Sequence, residues 1–161
     1  MKKLSGFVLG LLTLLLPAAP AYSQQLAIQL EGGKQIVFEK ADIQALPHMK
    51  ITVNTSHVSG AYEGVDLEAL LEKAGVSFGE SLKGKRMASC LLVEAADEYR
   101  VVIALPEMDP AFTERHLLLV FLKDGRPLDD KEGPYRIIIP NEKRMARWVR
   151  QVTALKIVDV Q

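Results

Sequence analysis

The chain has 161 residues, enough for one domain with a sizeable core once a short N-terminal segment is set aside. Its 20 Lys and Arg balance 20 Asp and Glu, which leaves no cationic excess for nucleic acid as a main partner. A single cysteine, Cys90, excludes an intramolecular disulfide, so packing must hold the fold together. Lys2 and Lys3 precede an apolar run from Phe7 to Leu16, and Ala21 and Ser23 suit the small-residue positions of a signal-peptidase site before Gln24. That run falls short of the roughly 20 residues a membrane helix needs. Residues 1–23 therefore read as a cleavable signal peptide, and 24–161 as a single domain, periplasmic and not membrane-inserted after cleavage. No cysteine stands near the cleavage site to carry a lipid.

Leu26–Leu30 and Gln35–Glu39 flank Gly32-Gly33, which supplies the positive φ angles of a tight hairpin. Lys40–Leu46 reads as a short helix stopped by Pro47. Met49–Val53 is a strand. A helix runs from Asp66 to Gly75, with acid at its start, Gly past its end and apolar residues at Leu67, Leu70 and Leu71. Arg86–Glu94 and Tyr99–Ala104 form a second hairpin around Ala95–Glu98, followed by a long loop over Leu105–Arg115. His116–Leu122 is nearly continuously apolar, the pattern of a strand buried on both faces. Asp124-Gly125 marks a turn, and Tyr135–Ile139 and Val152–Val158 are the last strands. The fold class is α+β, mixed and β-rich, in a single compact domain, with no internal repeat, low-complexity tract or linker. Between the last strands lies Pro140–Arg150, where Lys143, Arg144, Arg147, Trp148 and Arg150 crowd together.

Four groups of residues carry a resemblance in order and spacing. These are Gly64-Val65-Asp66-Leu67 with Leu70-Leu71, Ala96-Asp97-Glu98-Tyr99, Asp124-Gly125-Arg126-Pro127-Leu128, and the run from Gly133-Pro134-Tyr135-Arg136 to Pro140. The last continues into Arg144-Met145-Ala146-Arg147-Trp148-Val149. Together they resemble the sulfite-oxidase-type molybdopterin-binding domain. The resemblance covers nearly everything from Tyr62 onward, and it implies that the basic-Trp loop lies against a pterin cofactor, with Asp97 and Tyr99 near the same pocket.

The chemistry of the residues agrees with that implication. A pterin is a flat, electron-poor bicycle that takes an aromatic or guanidinium face and a few fixed polar partners. Trp148 offers a wall, while Arg147 and Arg144 offer a polar clamp that also suits a phosphate. Asp97 can pair with the aminopyrimidine edge. The plainer reading of each is a solvated basic loop anchored by Trp148, and an ordinary turn acid. In the family, a cysteine after the strand that precedes Tyr62 ligates molybdenum. Here Thr55-Ser56-His57 occupies that place, and hydroxyls replace a soft thiolate poorly. Thr55, Ser56 and His57 thus form either a ligand-binding corner or a plain Ser/Thr turn. Cys90 sits inside a strand and reads as a small core residue. Asp109 and Arg115 can line the pocket mouth or meet a partner. His48, His57 and His116 lack zinc-binding spacing, and neither a GxSxG elbow nor a phosphate-cradling glycine loop occurs.

Two functions follow. The leading expectation is a non-catalytic, exported pterin-binding protein without redox metal, which regulates a membrane-bound cyclic-di-GMP enzyme by contacting the periplasmic domain of a GGDEF or EAL protein. The alternative is a molybdopterin-dependent oxidoreductase or a subunit of one, with a molybdenum cofactor. The missing thiolate, and Lys2-Lys3 where twin-arginine export would show an arginine pair, weigh toward the first.

Overall fold

The structure, a computed structural model, describes residues 24–160. The expected signal peptide lies outside the described residues. Two sheets enclose one hydrophobic core.

The first sheet starts with β1 (Leu26–Gln29) and β2 (Gln35–Phe38), an antiparallel hairpin as the sequence pattern predicts. Gly32 and Gly33 both take positive φ, 76° and 85°, to turn the chain between them. A short helix, α1 (Lys40–Gln44), follows and is capped reciprocally by Glu39 and Asp42. Four elements then intervene: β3 (His48–Asn54), β4 (Ser59–Asp66), α2 (Leu67–Ala74) and β5 (Ser89–Ala95). After them come β6 (Arg100–Ala104), β7 (Leu118–Lys123), β8 (Arg126–Pro127), β9 (Arg136–Ile138) and β10 (Val152–Asp159).

The first sheet has the order β2-β1-β10-β5-β6, and its only parallel pair joins β1 to β10, the two ends of the described chain. The second has the order β3-β4-β7-β8, with β9 also on β7. Leu118–Phe121 of β7 are all buried, as a continuous apolar run requires. Asp66 caps α2 by accepting from the Glu68 amide at 3.1 Å, and Gly75 ends it in the left-handed region at φ 100°. Leu67, Leu70, Leu71 and Ala74 turn inward from this helix to the core.

Two departures from the sequence reading matter for the site. The segment before α2 is a full strand, β4, paired with β3 on one side and β7 on the other. Gly60 and Gly64 interrupt its apolar alternation, so its strand character is invisible to a period-of-two pattern. Thr55–His57 consequently sits in the turn of a β3–β4 hairpin. The strand expected from Arg86 begins instead at Ser89, because Gly84–Ala88 winds into a 3-10 turn.

Candidate functional site

The 140–151 loop leaves β9 and reaches β10 by way of a 3-10 turn at Met145–Arg147. Asn141 and Gln151, at its two ends, both adopt positive φ, at 64° and 50°. Trp148 is only 7% exposed, and its indole N–H donates to the Ile139 carbonyl at 2.9 Å. Burying that donor without an acceptor would cost about 1–3 kcal/mol, so the bond fixes the ring edge as well as satisfying it. From the neighbouring hairpin, the Tyr99 hydroxyl donates to the Ala146 carbonyl at 2.8 Å.

Arg147 does not stand free for a ligand. Its Nε donates to Glu142 at 2.8 Å, and its two terminal nitrogens reach the two oxygens of Glu107 at 3.1 Å each, a bidentate fork. A further bond joins Nη2 to Glu142. Burial pushes the Glu107 carboxyl up, but the Arg147 hydrogen bonds, the Ala104 amide and the nearby Arg115 outweigh it and leave it below its usual range. The hydrogen bonds that Arg147 donates to Glu107 and Glu142 hold its guanidinium more firmly charged, against the opposing effect of burial. The expected clamp is thus a lock that ties the loop to the 3-10 turn at Leu105–Glu107. Asp109, whose role the sequence left open, is 1% exposed and accepts from the Gly79 and Ala111 amides, so it organises its own loop. Arg115 lies 4.0 Å from Glu107, beside the lock.

Between this loop and the β5–β6 turn lies a cleft of about 270 Å³. Asp97, Tyr99, Met145, Trp148 and Arg150 line it. Asp97 uses one oxygen to accept from the Tyr99 amide at 3.1 Å, which points the carboxylate while leaving lone pairs for another donor. The cleft therefore brings a carboxylate, aromatic side chains and a guanidinium together within one small space. A larger groove of about 740 Å³ runs beside Lys85, Met87 and Val160, but its carboxylate, Asp159, is engaged by Ser89 and it holds no aromatic ring. The smaller cleft has the better chemistry.

The Thr55 corner approaches without lining the cleft. Thr55 closes its own turn: its hydroxyl donates to the Val58 carbonyl at 2.9 Å and accepts from the amides of Val58 and His57. The same hydroxyl lies 3.7 Å from the Met145 sulfur, so the corner and the basic-Trp loop are in contact. Ser56 and His57 are exposed at the tip of the turn, and Arg144 is exposed at the start of the 3-10 turn, outside the cleft lining. Cys90 is buried in β5 between Val158 and Ala104, where burial pushes its thiol up. It does not line the cleft, so the chain brings no thiolate to it.

Sequence reasoning missed a buried polar stack beneath Trp148. Arg136, 3% exposed, stands over the rings of both Tyr62 and Trp148, with its guanidinium carbon 5.6 and 5.9 Å from their centroids. Its Nη1 donates to Glu132 at 2.8 Å and to the Tyr62 hydroxyl at 3.3 Å. The separation of Tyr62 and Arg136, 74 residues, hides the pairing from any local pattern.

Residues 16–161 match the family model of the oxidoreductase molybdopterin binding domain. No curated protein matches the chain. Among solved structures, the sulfane dehydrogenase SoxCD from Paracoccus pantotrophus superposes with a TM-score of 0.64 at 19% identity, over 87% of this chain and 39% of that one. At that identity the likeness speaks for the fold, and the chain spans well under half of the dehydrogenase chain it matches.

Proposed function

The chain belongs to the oxidoreductase molybdopterin-binding domain family, and on that premise we propose that its cleft holds the pterin of a molybdopterin-type cofactor. In this reading it is the cofactor domain, or a subunit, of an oxidoreductase. The observation that carries the proposal is the convergence of Asp97, Trp148 and Arg150 on one cleft. The Asp97 carboxylate suits the donor edge of an aminopyrimidine, the exposed Tyr99 ring and the Trp148 edge give flat apolar surface, and Arg150, with Lys143 and Arg144 on the same loop, supplies charge for a phosphate tail. When bound, such a cofactor supplies redox chemistry at its metal. The residues of this chain bind and orient the organic part. They fit the pterin and its anionic tail, but they offer no thiolate for the metal, so no redox step is assigned to them.

That missing thiolate favours a second reading, in which the pterin binds without metal and the domain acts as an exported ligand-dependent regulator. A cyclic-di-GMP enzyme as its target is named neither by the family description nor by the matched dehydrogenase, and the family match favours the oxidoreductase reading. Both readings place the domain in the periplasm, after removal of residues 1–23.

Affinity for a reduced pterin, followed by fluorescence titration, tests the shared part. Asp97→Asn should weaken binding by about tenfold to a hundredfold, the range for hydrogen bonds to a charged group. Trp148→Phe, which keeps a ring but loses area and the indole bond, should weaken it by roughly tenfold. Unchanged affinity in Asp97→Asn would remove the pterin from this cleft. Stoichiometric molybdenum in the purified protein selects the oxidoreductase reading, whereas pterin without metal selects the regulator.

A further inference from the structure

We infer that Arg136 is a positioning residue for the cleft: its guanidinium stands over the Trp148 indole, 5.9 Å from the ring centroid, and fixes which part of the ring a bound ligand meets. The positioning role belongs to the ligand-free protein first, and rests on the proposed pterin site only for the affinity measurement.

Arg136 is held in direction by more than packing. Its Nη1 is drawn to the Glu132 carboxylate at 2.8 Å and to the Tyr62 hydroxyl at 3.3 Å, while that hydroxyl donates in turn to the other Glu132 oxygen at 3.3 Å. Lys123 caps the network from β7, 3.7 Å from Glu132 and 5.2 Å above the Tyr62 ring. These contacts set the guanidinium over the rings of Tyr62 and Trp148. A flat cation between two rings gains from both faces, and a lysine ammonium does not reproduce that shape.

The arrangement is poorly explained by stability alone. Arg136 Nε is buried and has no hydrogen-bond partner. A buried ion pair with an unmet donor is often matched or bettered by an apolar side chain of similar volume. Removing Arg136 would still leave Glu132 with Lys123 as a counter-ion. What the guanidinium does that an apolar chain cannot is orient the indole, whose N–H is pinned by the Ile139 carbonyl and which also lines the cleft.

Trp148 is the only tryptophan of the chain, so its emission reports this one ring. The test compares Arg136→Met with wild type in three ways: thermal unfolding, ligand-free emission maximum with acrylamide quenching, and affinity for a reduced pterin. The expected result is a cooperative fold with Tm near wild type, a shifted and more quenchable emission, and about tenfold weaker pterin binding. A folded Arg136→Met with wild-type emission and quenching overturns the inference. If emission changes while neither protein binds pterin, the positioning role stands and the pterin site falls. Should Arg136→Met fail to fold, the Nε–H resonance of Arg136 in the wild-type protein decides. A resonance displaced by the two rings and moving on ligand addition supports the role, and an ordinary shift that is unmoved at saturation overturns it.

Discussion

Gly64 sits where the backbone of β7 leaves no room for a side chain. A Cβ built there would lie 2.1 Å from the Leu119 carbonyl oxygen and 2.5 Å from the Val120 Cα, both main-chain atoms that cannot swing aside. The position coincides with the register shift between Glu63 and Gly64, a bulge that brings β4 against β7. Gly64→Ala should therefore destabilise the domain by about 3 kcal/mol through overpacking, seen as a lower urea midpoint with an unchanged slope. An unchanged midpoint would mean that the two strands part more easily than this contact implies. Gly125, in the turn between β7 and β8, makes a contrast: it has open space around it but a φ of 75°, so its glycine is required by the backbone and not by a neighbour.

At the scale of elements, the 140–151 loop is fixed at several separate points. Tyr99 holds Ala146, Trp148 holds Ile139, the Ile137 amide donates to the Val149 carbonyl, and Arg147 binds Glu107 and Glu142. The lock through Glu107 is pH-sensitive in a definite direction. A carboxyl held below its ordinary 4.5 in the folded state stabilises the loop above that value, and the contribution is lost as pH falls through the lower, folded value. Trp148 emission should thus change in acid below about pH 4.5, before global unfolding, and Glu107→Gln should show the loosened emission already at neutral pH. Identical neutral-pH spectra for Glu107→Gln and wild type would assign the loop's order to its other attachments. The elements themselves divide by what local sequence can carry. Asp66 and Gly75 announce α2 from both ends, and Trp148 with its basic neighbours announces the loop. The strand β4 was hidden by its two glycines, and the carboxylates Glu107 and Glu142 were hidden because a basic cluster draws attention to its charge and not to what neutralises it. Arg147 meets Glu107 across 40 residues, a pairing only the fold creates. In the same way Asp97, Tyr99 and Trp148 were legible as candidates, whereas their shared cleft was not.

For the whole molecule, one core joins two sheets whose strands come from alternating parts of the chain, and the cleft forms where the β5–β6 turn of one sheet meets the loop between β9 and β10. The parallel pairing of β1 with β10 binds the beginning of the described chain to its end, so truncating either strand exposes the inward-facing Leu26, Ile28, Leu155 and Ile157. Deleting β1 should abolish cooperative unfolding by circular dichroism, and retention of a sharp transition would contradict a single cooperative core. The family names the cofactor class, and the proposed reading assigns the recognition of its pterin to the cleft lined by Asp97, Trp148 and Arg150. The most direct test is the cofactor content of the full chain purified from its native host, measured as oxidised pterin fluorescence per protein after extraction. Near-stoichiometric pterin is expected in the wild-type protein, with a large loss in Asp97→Asn. Protein that carries no pterin, and gains none when offered it reduced, would rule out a pterin site in this cleft.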